Sequence, residues 1–201
     1  MPSFDGDGPL KTFDASFYSA TDLTGAGALV ALKGANQTWD FTTMPFQSDG
    51  TGSQTYHVLP ANLPGAAEAQ AKGATFAIES QTNQDSTVWV YDKADAGAYY
   101  NIGYTYTVDG QTQSNYFDTP FLGLVFPLTY GTTWEGETTQ TISAGGFSIV
   151  TSMQRDGEVD GWGTLVTPAG AEPALRYKLT LVVGAAGFTT TTYVYAWSTL
   201  S

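Results

Sequence analysis

The chain has 201 residues, of which 13% are charged, and it contains 23 Gly, 12 Tyr, 11 Phe and 5 Trp. This composition is typical of an aromatic, turn-rich β protein and excludes coiled coils, helical bundles and charge-rich disordered chains. A net charge of −12 repels a phosphate backbone, so nucleic-acid binding is not expected. The absence of cysteine excludes disulfides, thiolate catalysis and Cys-ligated zinc.

Location follows from the first residues and from the longest apolar runs. Residues 1–8 carry neither a basic end nor an apolar stretch, so they do not form a signal peptide. No run reaches the roughly 18 to 20 apolar residues that a membrane helix needs, so no membrane insertion is expected. Few Lys and many Thr, Tyr and Gly favour an exported chain whose signal has been removed over a cytosolic one. We therefore expect an extracellular or cell-surface protein.

The chain begins with a segment that differs in composition from the rest. Residues 1–25 are rich in Gly, Asp, Ser and Thr, which predicts an extended arm or an added edge strand. Phe13, Phe17 and Tyr18 indicate that this arm docks on another surface, and they are the candidate assembly residues. Residues 26–201 contain no linker and no repeat, and they are expected to form a single domain.

Period-two alternation predicts many short strands with turn signals between them. The turn signals lie at 33–36, 48–50, 144–146 and 155–157. Only residues 65–72 (GAAEAQAK) predict a helix, of two turns at most. The isolated strands are expected at about 28–33, 37–43, 75–80, 86–91, 121–126, 133–143, 147–154 and 163–167.

Two hairpins stand out. Residues 101–108 alternate cleanly and are followed by Asp109-Gly110, so 111–117 should return antiparallel. Residues 175–183 turn at 184–187 into 188–199, where Tyr193 and Val194 start apolar rows on opposite faces, which predicts a central strand. About twelve strands predict an all-β fold: an antiparallel β-sandwich, jelly-roll-like or a partly closed barrel, with at most one short helix.

Calcium is the one cofactor that the sequence leaves open. Asp156, Glu158 and Asp160 are spaced like the start of an EF-hand loop, but Thr167 stands where a bidentate Glu is required. A looser β-turn calcium site remains a hypothesis there and at Asp5-Gly6-Asp7-Gly8. The alternative is a solvated acidic turn.

Catalytic patterns are sparse. His57 is the only histidine, and no G-x-S-x-G turn accompanies it, so it is expected to be a half-buried polar residue on a strand. Glu135 and Glu137 lie at i and i+2 on one strand, about 7 Å apart, a spacing that permits glycoside chemistry. Alternating surface Glu on a strand is the simpler interpretation, and we expect no catalytic residue.

The aromatic residues have two interpretations. Trp39 and Trp89 lie inside predicted strands and are expected in the core. The Tyr99-Tyr100 pair, the Tyr104/Tyr106 stripe and other Trp residues offer a platform on which sugar rings would stack. The sequence does not assign which aromatics are exposed.

Three segments together resemble a known group of secreted proteins. They are GANQTWDF at 34–41, LVFPLTYGTTW at 124–134, and VDGWGTLVTPAG at 159–170 with Leu175-Arg176. In this order they resemble the β-sandwich domains of secreted Bacteroidota surface proteins, often cargo of the type IX secretion pathway. The resemblance implies an extracellular location and carries no catalytic residue. The sorting domain that usually follows such domains is not recognisable before Ser201.

These observations lead to three hypotheses. The first is a non-enzymatic structural or adhesive protein that self-associates, as a filament or surface-layer subunit, because an arm can add a strand to a neighbour's sheet. The second is a carbohydrate-binding module that binds polysaccharide through exposed aromatics. The third is a glycoside-active enzyme that uses Glu135 and Glu137.

Overall fold

The computed structural model describes residues 12–20, 26–44, 46–82, 87–108, 110–144 and 146–199. Eleven strands and two six-residue helices make up this part of the chain. In chain order they are β1 (Thr12–Ala20), α1 (Ala26–Ala31), β2 (Gly34–Asp40), β3 (Phe46–Val58), α2 (Ala66–Ala71), β4 (Phe76–Thr82), β5 (Thr87–Ala94), β6 (Ala98–Val108), β7 (Gln111–Val125), β8 (Thr133–Ala144), β9 (Phe147–Thr167), β10 (Gly170–Ala185) and β11 (Phe188–Thr199).

The strands form one open path, which confirms the expected antiparallel all-β class and excludes a closed barrel. From β3 to β11 each strand pairs antiparallel with the next, and β1 extends the path beyond β3. β2 stands off this path and pairs parallel with the last part of β9. Residues 12–20, in the segment expected to be an arm or an edge strand, form the edge strand β1.

Both hairpins and one helix were predicted correctly. Val108 pairs with Gln111, and Ala185 pairs with Phe188 around Ala186 and Gly187, both of which have positive φ. A two-residue turn of this type matches the right-handed twist of the strands. The helix predicted at 65–72 is α2.

Residues 28–33, expected as a strand, instead belong mostly to α1, so there are two short helices where one was expected. A short apolar run such as Leu29-Val30-Ala31 does not distinguish helix from strand by periodicity. Tertiary contacts decide the outcome, because Arg176 of β10 donates hydrogen bonds to the backbone oxygens of Leu29 and Val30, at 3.3 and 2.8 Å.

Two predicted turns are continuous strand. Ser48-Asp49-Gly50 lies in β3, where a β-bulge absorbs Asp49 opposite Phe17 and Tyr18. Residues 155–157 lie in the middle of β9, a strand of 21 residues that unites two predicted strands. Gly157 is needed there for close packing, since a Cβ would lie 2.0 Å from the Trp134 ring.

The prediction that β11 is a central strand is wrong, because β11 is the last strand of the path and pairs only with β10 among the described strands. Residues 188–194 are all exposed. Alternation of aromatic and β-branched residues on both faces predicted burial, but no further described strand covers this edge.

The β7–β8 boundary is held mainly by side chains. The registered pairing is confined to Phe117 and Gln140. Further along the boundary, Nε1 of Trp134 donates to the backbone oxygen of Gly123 at 2.9 Å, and Oγ1 of Thr138 donates to that of Thr119 at 2.9 Å. Backbone groups that the ladder leaves unpaired thus find side-chain partners.

Both helices lie on the same face of the sheet. Tyr91 and Tyr116 donate hydrogen bonds to the backbone oxygens of Pro64 and Gly65 at the start of α2, and Arg176 reaches α1. Because residues two apart on a strand share a face, the register carries this face from Tyr116 to Asp118 and across to β8, β9 and β10. We call it the helix face.

Part of the core lies under the two helices. Under α2 the core includes Ala66, Ala69, Tyr91, Ile102 and Tyr116, with Trp89 packed against it. Near α1, Trp39 is fully buried and its ring makes an edge contact with Trp197 at 6.0 Å. The expectation that Trp39 belongs to the core is therefore confirmed, whereas Trp89 is partly buried and packs against the core.

Candidate functional site

A polar groove crosses the helix face between α1 and α2. Its volume is about 550 Å³. The register aligns two rows of side chains across β8, β9 and β10, and the resulting groove combines five acidic or hydroxyl-bearing side chains with a single lysine. The lining side chains used below are Thr133, Glu135, Asp156, Glu158, Lys178 and Thr180.

A second depression of about 460 Å³ continues this groove toward β7. It contains Glu137 and Gln154 together with Asp118, whose carboxylate accepts a hydrogen bond from Oγ1 of Thr139. Glu135 and Glu137 thus share a face of β8, as predicted, but they line neighbouring depressions and both are exposed. A retaining or inverting glycosidase needs two carboxyl groups that converge on one bond.

The groove has an aromatic side. Nζ of Lys178 lies 4.8 Å from the centre of the Tyr193 ring on β11, and Tyr193 is 59% exposed. Tyr195 lies next to Lys178 in the register. Acidic, hydroxyl, cationic and aromatic groups on a broad sheet face are the kinds of contacts that polar, ring-shaped ligands use.

Among the tryptophans considered from the sequence, Trp134 lines the groove but is only 5% exposed. The tyrosines named from the sequence lie elsewhere. Tyr104 and Tyr106 are stacked on β6 with their centroids 6.2 Å apart, and both are only half-exposed. Tyr99 is half-buried in a polar network, and Tyr100 lies under Nζ of Lys93 at 5.5 Å. Sequence reasoning therefore missed Tyr193 as the groove aromatic, because only the strand register places it beside Lys178.

The residues proposed for calcium are divided between two environments. Asp156 and Glu158 line the groove. Asp160 makes a bidentate ion pair with Arg176, at 2.8 and 2.7 Å, and Arg176 is 1% exposed. Within the described residues no three acidic, histidine or cysteine side chains are grouped to hold a metal. Residues 5–8, the second calcium hypothesis, lie outside the described residues.

The assembly residues Phe13, Phe17 and Tyr18 lie in β1, where Phe13 pairs with Gln54 and Tyr18 with Ser48. The structure describes their backbone but not their side chains. Their role in assembly stays a prediction.

A buried polar network that the sequence did not indicate joins β5, β6 and β9. Asp92 is fully buried and accepts hydrogen bonds from Tyr99 at 2.7 Å and from Asn101 at 3.0 Å. Asn101 in turn accepts one from Nη1 of Arg155 at 3.0 Å. Burial raises the pKa of Asp92 to about 6, although these hydrogen bonds and the charge of Arg155 act to lower it.

His57 was correctly expected as a half-buried residue of a strand. Its Nε2 lies 2.8 Å from Oε2 of Glu79 on the neighbouring strand β4. Nε2 of Gln81 also donates to Glu79, at 2.7 Å. Glu79 thus binds two side chains, and the His57–Glu79 pair lies on β3 and β4, away from the groove on β8 to β10.

Comparison of the chain with protein-family models, with curated proteins and with solved structures finds no match. Among the described residues, no helix has the length and apolar character needed to cross a membrane.

Proposed function

We propose that this chain is an extracellular or cell-surface, non-enzymatic structural or adhesive protein that self-associates by strand addition at β11. The observation that carries the proposal is the exposed edge of the sheet. β11 pairs with β10 on one side, its residues 188–194 are exposed, and no described strand lies beyond these residues on the other side.

The chemistry of β11 favours strand addition. Natural edge strands are usually protected by charges, proline or bulges, because unpaired N–H and C=O groups recruit other strands. Residues 188–199 contain no charged residue, no Pro and no Gly, and most are Thr, Tyr, Val or Trp. An uncharged edge also lets two copies approach despite a net charge of −12 on each.

Among the described strands, β1 ends the path on the other side and offers a second edge. Pairing of β11 with β11 of a second copy gives a closed dimer, whereas pairing of β11 with β1 of the next copy gives an open filament. The predicted assembly residues Phe13, Phe17 and Tyr18 belong to β1, so the filament would use them. In either case added salt should favour association, because it screens like charges.

The test is the oligomeric state of a charged-edge variant. Thr190 and Thr192 are exposed on β11, and T190K/T192K places two cations on this edge. T164K is a matched control, because Thr164 is exposed on the interior strand β9. Light scattering and negative-stain electron microscopy should show oligomers or filaments for the wild type and T164K, and monomers for the double variant. A monomeric wild type at all concentrations and salt conditions overturns the proposal.

A carbohydrate-binding module is the second candidate, favoured by the groove beside Tyr193 and Lys178. Pyranose faces stack on exposed aromatic rings while acidic and hydroxyl side chains bond to sugar hydroxyls. Y193A should then no longer bind to an insoluble polysaccharide. Y130A, at another exposed tyrosine, should bind like the wild type. Equal retention of both variants contradicts this candidate.

A glycoside-active enzyme is the third candidate. Glycoside hydrolysis that survives the double substitution E135Q/E137Q contradicts it.

A further inference from the structure

Two hairpin turns lie at one end of the sheet, and each is followed by a highly exposed phenylalanine. β9 connects them, because its Phe147 pairs with Ala144 of β8 and its Thr151 pairs with Ala185 of β10. Phe147 and Phe188 begin the return strands of the β8–β9 and β10–β11 hairpins. Each is 80% exposed.

The apolar surface extends around this end of the sheet. Ile149 is 50% exposed and Val150 is 61% exposed. Because neighbouring residues on a strand point to opposite faces, these two side chains protrude on both sides of β9. The register places Phe188, Ile149 and Phe147 on the same side, and Val150 on the other. The tips of these two hairpins, and not one face of the sheet, are therefore apolar.

The turns keep the two phenylalanines at the extreme end. Ala186 and Gly187 have φ of 49° and 83°, so the β10–β11 connection is as short as a hairpin allows. In the other hairpin Gly146 has φ of 84°, and the hydroxyls of Ser143 and Ser148 lie 2.7 Å apart across the strands. No long polar loop in either turn separates the rings from an approaching surface.

Charge is excluded from both hairpins. Residues 138–154 and 179–199 contain no Asp, Glu, Lys or Arg, although the whole chain has a net charge of −12. Behind the apolar tips the strands carry hydroxyl side chains, including Ser143, Ser148 and residues 189–192. From the tip inward, an apolar zone is thus followed by a neutral zone of hydroxyl groups. This order matches the change from acyl chains to headgroups at a lipid surface.

We propose that this end docks on a zwitterionic phospholipid surface, with Phe147 and Phe188 as the anchors in the interfacial layer. A lipid surface accepts apolar groups that protrude on both sides of a strand, whereas a protein partner would match one face. The neutral hairpins avoid desolvating a charge, and the acidic body would be repelled by an anionic surface. Docking of this kind needs no spanning segment and does not depend on strand addition at β11.

Co-sedimentation with phosphatidylcholine vesicles tests the proposal. The wild type should bind, and F147S/F188S should lose about tenfold in partitioning for each ring removed. V58S, at an exposed apolar residue of β3, is the control and should bind like the wild type. Because both rings are largely exposed, the double variant should keep the wild-type melting temperature. Replacing part of the phosphatidylcholine by phosphatidylserine should weaken binding.

Several outcomes overturn the proposal. They are a wild type that stays in the supernatant, a double variant that sediments like the wild type, and a V58S loss as large as that of the double variant. Light scattering on the same samples separates the alternative of a second copy. If the F147S/F188S substitutions dissociate oligomers and the wild type does not bind vesicles, the two hairpin tips contact protein and the lipid proposal is wrong.

Discussion

Nη1 of Arg155 on β9 donates a hydrogen bond to Oδ1 of Asn101 on β6, although β7 and β8 lie between these strands in the sheet order. Arg155 reaches this far because its partner on β8 is Gly136, which has no side chain in the way. The same nitrogen donates to the backbone oxygen of Leu122, at 3.1 Å, and the guanidinium lies 4.2 Å from the centre of the Phe121 ring. One side chain therefore ties together the two halves of the sheet at their weakest boundary.

We expect R155M to lower the free energy of unfolding by about 2 to 4 kcal/mol, because it leaves the oxygens of Asn101 and Leu122 without this donor. K178M removes the same charge from the open groove and should cost less than about 1 kcal/mol. Denaturant unfolding of both variants measures the difference. Equal losses would show that Arg155 contributes only its charge.

Asp92 should make the stability fall as the pH rises. Its pKa is raised from 3.8 to about 6 in the folded chain, so its protonated form is favoured by folding. This contribution is fully present below about pH 4 and is lost as the pH rises through about 6. It amounts to about 3 kcal/mol as an order of magnitude. D92N should remove the part of the pH-dependent loss of stability that Asp92 causes. The measurement is the difference in free energy of unfolding between wild type and D92N, followed from pH 4 to 7.5.

D95N is a control of opposite sign. Asp95 accepts hydrogen bonds from the backbone N–H groups of Gly97 and Ala98, which lower its pKa. The stabilisation by Asp95 is fully present at pH values above the usual pKa range of Asp. It disappears as the pH falls through the lowered pKa of Asp95. D95N should therefore lose stability at neutral pH, where D92N does not. A wild-type pH profile unchanged by D92N would contradict the role given to Asp92.

Asp160 should contribute to stability through Arg176 and not through calcium. D160N leaves a buried guanidinium without its carboxylate, and we expect a loss of about 3 to 5 kcal/mol. D156N, in the open groove, should change little. Melting temperatures in calcium chloride and in chelator test this distinction, since the loss for D160N should be the same in both. If calcium instead raised the melting temperature of the wild type, and both D160N and D156N abolished that rise, a metal site would be established.

Gly157 should not tolerate a side chain. Its Cβ would overlap the Trp134 ring, which is 5% exposed and held by its hydrogen bond to Gly123. We expect G157A to destabilise the fold by about 3 kcal/mol or more through overpacking. G27A, in α1 with open space around it, should be neutral or stabilising by up to about 1 kcal/mol. A mild effect of G157A in thermal unfolding would contradict the close contact.

The sequence by itself determined the all-β antiparallel class, both long hairpins, the helix α2 and the burial of Trp39. These features depend on local signals: alternation of period two, turn residues with positive φ, and a short Ala-rich run between Pro64 and Gly73. Such local signals involve only a few neighbouring residues. They can therefore be recognised without knowing which other parts of the chain pack against the segment.

Only the tertiary structure decided the features that depend on neighbours distant in the sequence. α1 is a helix where a strand was expected, and Arg176, more than 140 residues away, binds its carbonyl groups. Gly157 looked like a turn because the contact with Trp134 across two strands has no local trace. β11 is an edge because strand order, and not composition, decides which strand ends the sheet. The groove and the network around Asp92 are likewise products of strand register, which brings together side chains that no spacing in the sequence relates.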